Sequence, residues 1–350
     1  MPNIKLPVTR YYGSKRKLVE KIWCEFEKLN LNFDSVLDVF GGSGIFSYYA
    51  KSKGKSVIYN DIFKFNQLIG KALIETNKFP LKDDDILKLL EPQTGIIYKK
   101  IISENFKGIY FTDAENYLID IVVQNIELMN NECSKASAYY ILFQTCLIKR
   151  PFNLFHRKNL SLRTNHILSN FGNKKTWERT FEELFLKFSE QLKIYQFDNG
   201  RNNHSVNFTA LKCNIKSDLV YIDPPYFGEK NGHVSYHSRY HFLEGLSNYD
   251  IIEENISFQK AHHEININKN SEFENKKKFI EELSQLIDIH KNSIIVISYR
   301  NGGYPSIEMI LEVMNRFKSS ESTHIIDLGS YSYALNRNNI NNREYLIVGI

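Results

Sequence analysis

The apolar run Leu219-Val220-Tyr221-Ile222 stops at Asp223-Pro224-Pro225-Tyr226, and this junction constrains the fold more than any other stretch of the 350-residue chain. Two successive prolines fix their φ angles and carry no amide hydrogen, so a strand cannot go on pairing through them. A strand apolar on both sides is one covered on both faces, the condition of a parallel α/β sheet. The junction therefore marks a strand's carboxyl end. There a carboxylate, a proline carbonyl and an aromatic ring are held together on stiff backbone that presents acceptors only. An exocyclic amine on a planar base needs such acceptors.

The amino-terminal segment supplies the matching half. Ser14 is placed to cap a helix whose apolar positions Leu18, Ile22, Phe26 and Leu29 recur at helical spacing. Ser35-Val36-Leu37-Asp38-Val39-Phe40 then runs into Gly41-Gly42-Ser43-Gly44, followed by the helical stretch Ile45 to Ala50 and a second strand, Ser56 to Tyr59. This is a β-α-β unit with a glycine-rich turn. Such a turn lets backbone approach a ligand closely and aims helix amides at it, although a plain tight turn reads the same way. Asp61, about 20 residues on at the end of the second strand, stands where a ribose diol would be held. As a helix N-cap it would need no ligand.

Two more short apolar runs, Asp218 to Ile222 and Ser293 to Ile297, read as buried parallel strands, and the tail (Ile325 to Leu328, Glu344 to Val348) as a pair of edge strands. The expected fold is α/β, a doubly wound, mostly parallel, Rossmann-like sheet. Asp223 then lies across the topological switch point from the glycine turn, where open α/β sheets bind ligands. About 150 residues separate the two halves, too many for a loop. Residues 80–204 are expected to form an inserted, mainly helical domain, with Leu118, Ile121, Val122, Asn125 and Leu128 on one helix face. Residues 1–79 and 205–350 would make up the catalytic domain. The Asn/Lys-rich stretch from Asn266 to Lys278 reads as a mobile surface segment.

Composition narrows the remainder. A hydrophobic content of 42% supports a large core, and a formal charge of +5 permits a polyanionic partner without demanding one. Cys24, Cys133, Cys146 and Cys213 are scattered, with no CxxC pair, which argues against a zinc site or a disulfide framework. The amino terminus has no apolar core of signal length and no apolar run approaches about 18 residues, so a cytoplasmic protein is expected.

These motifs together give the chain a family likeness. It resembles adenine-specific (N6) DNA methyltransferases of the DNA adenine methylase type, whose cofactor half precedes the catalytic tetrapeptide with a target-recognition domain between. Tyr11-Tyr12-Gly13-Ser14-Lys15 resembles the family's amino-terminal motif, Asp38 to Gly44 its cofactor loop, Asn60-Asp61 its ribose-binding acid, and Asp223 to Tyr226 its catalytic motif. The resemblance implies that S-adenosyl-L-methionine is bound by Tyr11, Gly13, Lys15, Asp38, Phe40, Gly42, Gly44, Asp61, Asn207, Phe208 and Asp223. It implies catalysis by Asp223, Pro224, Pro225 and Tyr226, with the carboxylate and the Pro224 carbonyl taking the amine hydrogens and Tyr226 stacking on an extruded adenine. Ile297 to Asn301 resembles the segment that walls the adenine pocket. Asn207 departs from the pattern, since relatives usually carry an acid there.

The segment Cys146 to Arg163 concentrates five cations with amides and aromatics. Lys149, Arg150, Asn153, His156, Arg157, Lys158 and Arg163, with Tyr240 from a later segment, are the candidate contacts to double-stranded DNA. A solvated basic face would look the same. Both stretches resemble a restriction–modification subgroup, which implies a cognate restriction endonuclease as a possible partner. Two other readings stay open. One is methylation of cytosine N4 or an RNA base, disfavoured by aspartate at 223. The other is a catalytically inactive DNA-binding protein on the same fold, disfavoured by intact Gly42, Gly44, Asp61 and Asp223.

Overall fold

The computed structural model describes residues 5–8, 10–164, 174–228, 235–267, 272–330 and 343–350. Seven strands form its main sheet: β1 (Ser35–Asp38), β2 (Ser56–Asn60), β3 (His204–Val206), β4 (Leu219–Ile222), β5 (Ile294–Arg300), β6 (Thr323–Ser330) and β7 (Arg343–Gly349). Their order is β6-β7-β5-β4-β1-β2-β3. The five strands from β5 to β3 run parallel, while β7 lies antiparallel between β5 and β6. The tail therefore adds one edge strand, β6, and one inner strand, β7.

All four residues of β4 are buried, as its apolar run requires. Val36, Leu37, Val220, Ile222, Ile295 and Ile297 are each wholly enclosed. Each such side chain contributes about 1.5–3 kcal/mol of burial. The helix Val19–Lys28 buries Val19, Ile22, Trp23 and Phe26. It starts later than the sequence suggests. Ser14 precedes only the short turn Lys15–Lys17 and makes no side-chain cap. Its hydroxyl instead accepts a hydrogen bond from the Ser43 hydroxyl at 3.2 Å, tying the amino-terminal motif to the glycine turn.

The chain divides into two units. The first comprises Met1–Gly70, Asn199–Tyr236 and Asn270–Ile350 and holds the sheet. The second comprises Lys71–Asp198 and His237–Lys269. Its centre is the helix Glu132–Ile148, buried at every position from Ala136 to Leu147, as a helix surrounded by others must be. Helices Asp113–Glu127 and Phe181–Tyr195 pack on it. Both begin with a capping box, Thr112 with Glu115 and Thr180 with Glu183. On the former helix Ile121, Val122 and Asn125 are buried as the spacing predicts, but Leu128 at the end is 58% exposed.

Residues 237–269 belong to the second unit through a buried polar knot. His241 Nδ1 accepts from the Ile265 amide at 3.0 Å, so its proton sits on Nε2, within 3.0 Å of the Tyr110 hydroxyl and 3.2 Å of the Phe155 carbonyl. Burial, with His262 and His237 nearby, holds the His241 pKa well below the ordinary histidine value. Among the described residues of the Asn/Lys-rich stretch, Phe273 is fully buried against Phe40 and Phe279, which anchors what the composition suggested was surface. No helix among the described residues is long and apolar enough to cross a membrane.

Candidate active site

Within the first unit, the carboxyl ends of β1, β2 and β4 and the residues before the first helix line one cavity. Its walls include Tyr11, Gly13, Lys15, Asp38, Phe40, Gly42, Asp61, Phe208, Asp223 and Pro225. The reversal of strand order between β1 and β4 creates the crevice, as the switch-point rule requires. Gly44, Pro224, Tyr226 and Asn207 are not among the lining residues.

The glycine turn is held shut by side chains. Gly42, at φ +49°, donates its amide to Asp61 Oδ2 at 2.8 Å, and its carbonyl accepts from the Tyr59 hydroxyl at 2.8 Å. Gly44, at φ +72°, precedes the helix Ile45–Ser52. Gly41 lies so close to Tyr59 that an added Cβ would fall 2.1 Å from the ring. Gly41→Ala is therefore expected to displace a wholly buried tyrosine and destabilise the first unit by about 1–3 kcal/mol, read from urea unfolding.

Asp61 ties loops together. Oδ1 accepts from the Phe63 amide at 2.9 Å, and Oδ2 from Gly42 and from Asn66 Nδ2 at 3.1 Å. A carboxylate has about four acceptor sites, so capacity for a ligand hydroxyl is left. Burial pushes the Asp61 pKa up to about 6, against the pull of these donors. Asp38 is pushed to about 7 by burial despite the Ser47 hydroxyl at 2.7 Å, and its Oδ1 is enclosed with no partner among the described residues. Asn207 is anchored through its amide nitrogen. Its amide donates to the carbonyls of Asp61 and Ile62 at 2.7 and 2.8 Å, pinning the end of β2. The neighbouring Phe208 ring, 46% exposed, lines the cavity instead.

At the end of β4 the Lys15 ammonium is 2.8 Å from Asp223 Oδ1, 2.9 Å from Glu344 Oε1 and 3.2 Å from the Tyr226 hydroxyl. Burial alone would lower the lysine's pKa; Asp223 and Glu344 outweigh it and hold the value well above the usual one. Asp223 is raised to about 6, chiefly by burial, with Glu344 adding and Lys15 opposing. Tyr226 departs from the expectation of an open stacking face. It is only 6% exposed, with Tyr299 edge-on at 5.5 Å and the Arg300 guanidinium 5.1 Å from its ring centroid. Tyr11, Tyr12 and Tyr236 present further rings around the cavity, Tyr11 and Tyr236 stacked at 5.9 Å.

Sequence reasoning missed Glu274 and Glu344 and gave Asn60 no role of its own. Asn60 bonds to Val39 and to both backbone groups of Phe208, joining three strand ends. Glu274 lines the cavity with its pKa pushed to about 7 by burial. For Asn60 the neighbouring predicted ribose acid was a usable signal. Nothing local distinguishes the two glutamates.

In the second unit, four of the eight candidate DNA contacts turn inward. Arg150 is 1% exposed, donates to the carbonyls of Leu154 and Arg157, and stacks 4.3 Å over Tyr110. Lys149 pairs with Glu115 at 2.7 Å, which also receives both terminal nitrogens of Arg163 at 3.0 and 2.7 Å. Tyr240 is buried in its helix. Arg157 and Lys158 are exposed, and Asn153 and His156 partly so. Burial and the neighbouring Arg157 and Arg239 lower the His156 pKa to about 4, leaving it neutral at pH 7. The turn between holds Phe152 at φ +63° with its ring 54% exposed.

Residues 11–299 match the family model of D12 class N6 adenine-specific DNA methyltransferases. The chain is similar to the type II methyltransferase M2.HphI of Haemophilus parahaemolyticus, 30% identical over 249 residues that cover 68% of this chain and 71% of the relative. It is 27% identical to the type II methyltransferase M.NlaIII of Neisseria lactamica, with 88% of each chain covered. The modification methylase StsI of Streptococcus sanguinis is 25% identical over 88% of this chain and 46% of its own.

Proposed function

Because the chain belongs to the D12 class of N6 adenine-specific DNA methyltransferases and so methylates adenine in DNA, we propose that its donor is S-adenosyl-L-methionine, bound in the first unit's cavity. One observation carries this reading. The glycine turn, Asp61 and Asp223 converge on a single space that is lined by carboxyl groups and short of positive charge. Asp38, Asp61 and Glu274 are all pushed upward by burial, and Asp38 Oδ1 has no partner among the described residues. A ligand carrying an ammonium and a sulfonium fits such a cavity. When bound, the donor supplies a methyl group on a positively charged sulfur.

The chain's own residues do the remainder. Asp61, held in place by the Gly42 amide, fixes the ribose end, and Phe208 offers an exposed ring to the donor's base. Asp223 and the Pro224 carbonyl accept the two hydrogens of the adenine amine. Those two bonds draw its nitrogen lone pair out of the ring and toward the methyl group. The target adenine leaves the duplex to reach them, because the amine of a stacked and paired base lies out of reach of the two acceptors. Pro225 and the tyrosines around the cavity form the apolar walls, while Tyr226 braces Lys15.

The second unit is the target-recognition part in this reading. Arg157 and Lys158 meet phosphates, Asn153 is the polar group placed to read a base edge, and the exposed Phe152 ring lies against the opened strand. Arg157→Ala and Lys158→Ala are each expected to weaken duplex binding across sequences and to reduce the salt slope by about 1, measured by titration at several salt concentrations. A cognate endonuclease cutting the same site completes the proposal, supported by relatives named as type II methyltransferases and a modification methylase.

The test is to express the protein in cells without adenine methylation and map modified bases by sequencing. Methylation of adenine within one short recurring sequence is the expected result. Unmodified genomic adenine, together with no incorporation from labelled donor by purified protein, would overturn the reading.

A further inference from the structure

Lys15 is an ammonium, 5% exposed, and the structure sets three oxygens around it from two parts of the first unit. Asp223 and Tyr226 come from the β4 end and belong to the recognised motif. The third, Glu344, comes from β7, more than a hundred residues further along. It is fully enclosed, and its Oε1 accepts from the Ser298 hydroxyl of β5 at 2.6 Å. Enclosing a carboxylate costs several kcal/mol unless it is paired, so a glutamate there calls for a reason. The β7 register offers one: pairing with β5 sets Glu344 opposite Arg300, and only β5 separates β7 from β4, whose end carries Asp223.

We propose that Glu344 is a positioning residue for methyl transfer, which holds Lys15 from the far side so that the lysine orients Asp223 without neutralising it. One cation between two carboxylates leaves the cluster with a net charge of −1. Were Glu344 neutral, the whole field of the ammonium would fall on Asp223. The carboxylate would then be a poorer acceptor for the adenine amine. Lys15 keeps to Oδ1 of Asp223, and the amine meets the other oxygen.

The groups facing Asp223 set the expected pH response. They are Lys15, Glu344 and, across the sheet ends, Asp38, Tyr221 and Tyr226, with Arg300 beyond the Tyr226 ring. Glu344 is a like charge that opposes ionisation of Asp223, and its removal makes that ionisation easier. The acid limb of the rate profile must then move to lower pH while the plateau rate falls.

The inference rests on Asp223 as the amine's acceptor, and the experiment separates the two claims. Single-turnover methyl transfer is measured from pH 5 to pH 9 for the wild type, Glu344→Gln, Glu344→Asp and Asp223→Ala, with donor affinity and thermal unfolding alongside. Glu344→Gln is expected to lower the plateau about tenfold or more, with donor affinity nearly unchanged and the acid limb shifted downward. Glu344→Asp, which keeps the charge at a longer reach, is expected to return the limb to the wild-type pH with a reduced plateau. An unmoved limb in Glu344→Gln overturns the inference, whether the rate falls or not. If that variant does not fold, a wild-type plateau in Glu344→Asp overturns it instead. Full activity in Asp223→Ala would sink the parent reading whatever the Glu344 variants do.

Discussion

Asp223→Ala is expected to lower methyl transfer to DNA by at least about 10²–10³-fold, the loss seen when one preorganised hydrogen-bonding group is removed from a reacting centre. Donor affinity should stay measurable, because Asp61, Gly42 and Phe208 line other parts of the cavity. The protein should also stay folded. Removing the aspartate leaves Lys15 paired with Glu344 at 2.9 Å, a buried pair of zero net charge. Asp223→Asn keeps an acceptor oxygen of the same reach but not the charge, and should fall between alanine and the wild type. Single-turnover kinetics with labelled donor, beside calorimetric donor binding, reads both quantities. The wild-type rate should fall as pH drops through about 6, since burial raises the Asp223 pKa to that value and a protonated carboxyl donates where an acceptor is needed. The sign for stability is opposite. A carboxyl with a raised folded-state pKa binds its proton more tightly folded than unfolded, so ionising Asp223 between pH 4 and 6 costs folding stability. Transfer in Asp223→Ala equal to the wild type would reject the assigned role.

The sheet was legible because its signals are local and strong. Short apolar runs ending in Gly41-Gly42-Ser43-Gly44, in Asp61 and in the proline pair leave few arrangements, and right-handed crossovers place those ends together. What escaped was set by long-range geometry. Glu344 reads as one polar residue in an alternating strand, and only the β7 register reveals that it faces a lysine more than three hundred residues earlier. Asn207 resembled a ligand-facing position, and sequence carried no sign that its amide nitrogen also binds two backbone carbonyls that hold β2. Tyr226 offered a stacking face in sequence, yet its hydroxyl is needed by Lys15, and that bond turns the ring inward. The basic segment shows the same effect most fully. A cation in a sequence carries no mark of whether its partner is a phosphate or a glutamate that folding brings from elsewhere.

Glu115 is that glutamate, and Glu115→Ala is expected to destabilise the second unit by about 3–5 kcal/mol, the cost of breaking a buried ion pair from one side. Its carboxylate receives Lys149 at 2.7 Å and both terminal nitrogens of Arg163, with side-chain exposures of 13%, 4% and 6% for the three residues. It also closes the capping box at Thr112, accepting from the Thr112 amide at 3.0 Å. Alanine therefore strands two enclosed cations and removes one half of the capping box. Glu115→Gln keeps the cap but not the charge and should recover about 1 kcal/mol. Burial alone would raise the Glu115 pKa, but Arg163 and Lys149 outweigh it and hold the value below the ordinary one. The stability it contributes is thus present above the unfolded-state value and is lost as pH falls through the lower folded-state value. Urea unfolding at pH 7 and pH 4 checks both the size and the sign. The same measurement on Lys149→Ala separates two roles for the lysine. A phosphate contact would leave stability intact and flatten the salt dependence of DNA binding, whereas a strut would lower stability and leave the slope near the wild-type value. The structure leads us to expect the second result, with Arg157 and Lys158, held out on the loop that the Glu115 cluster braces, showing the first.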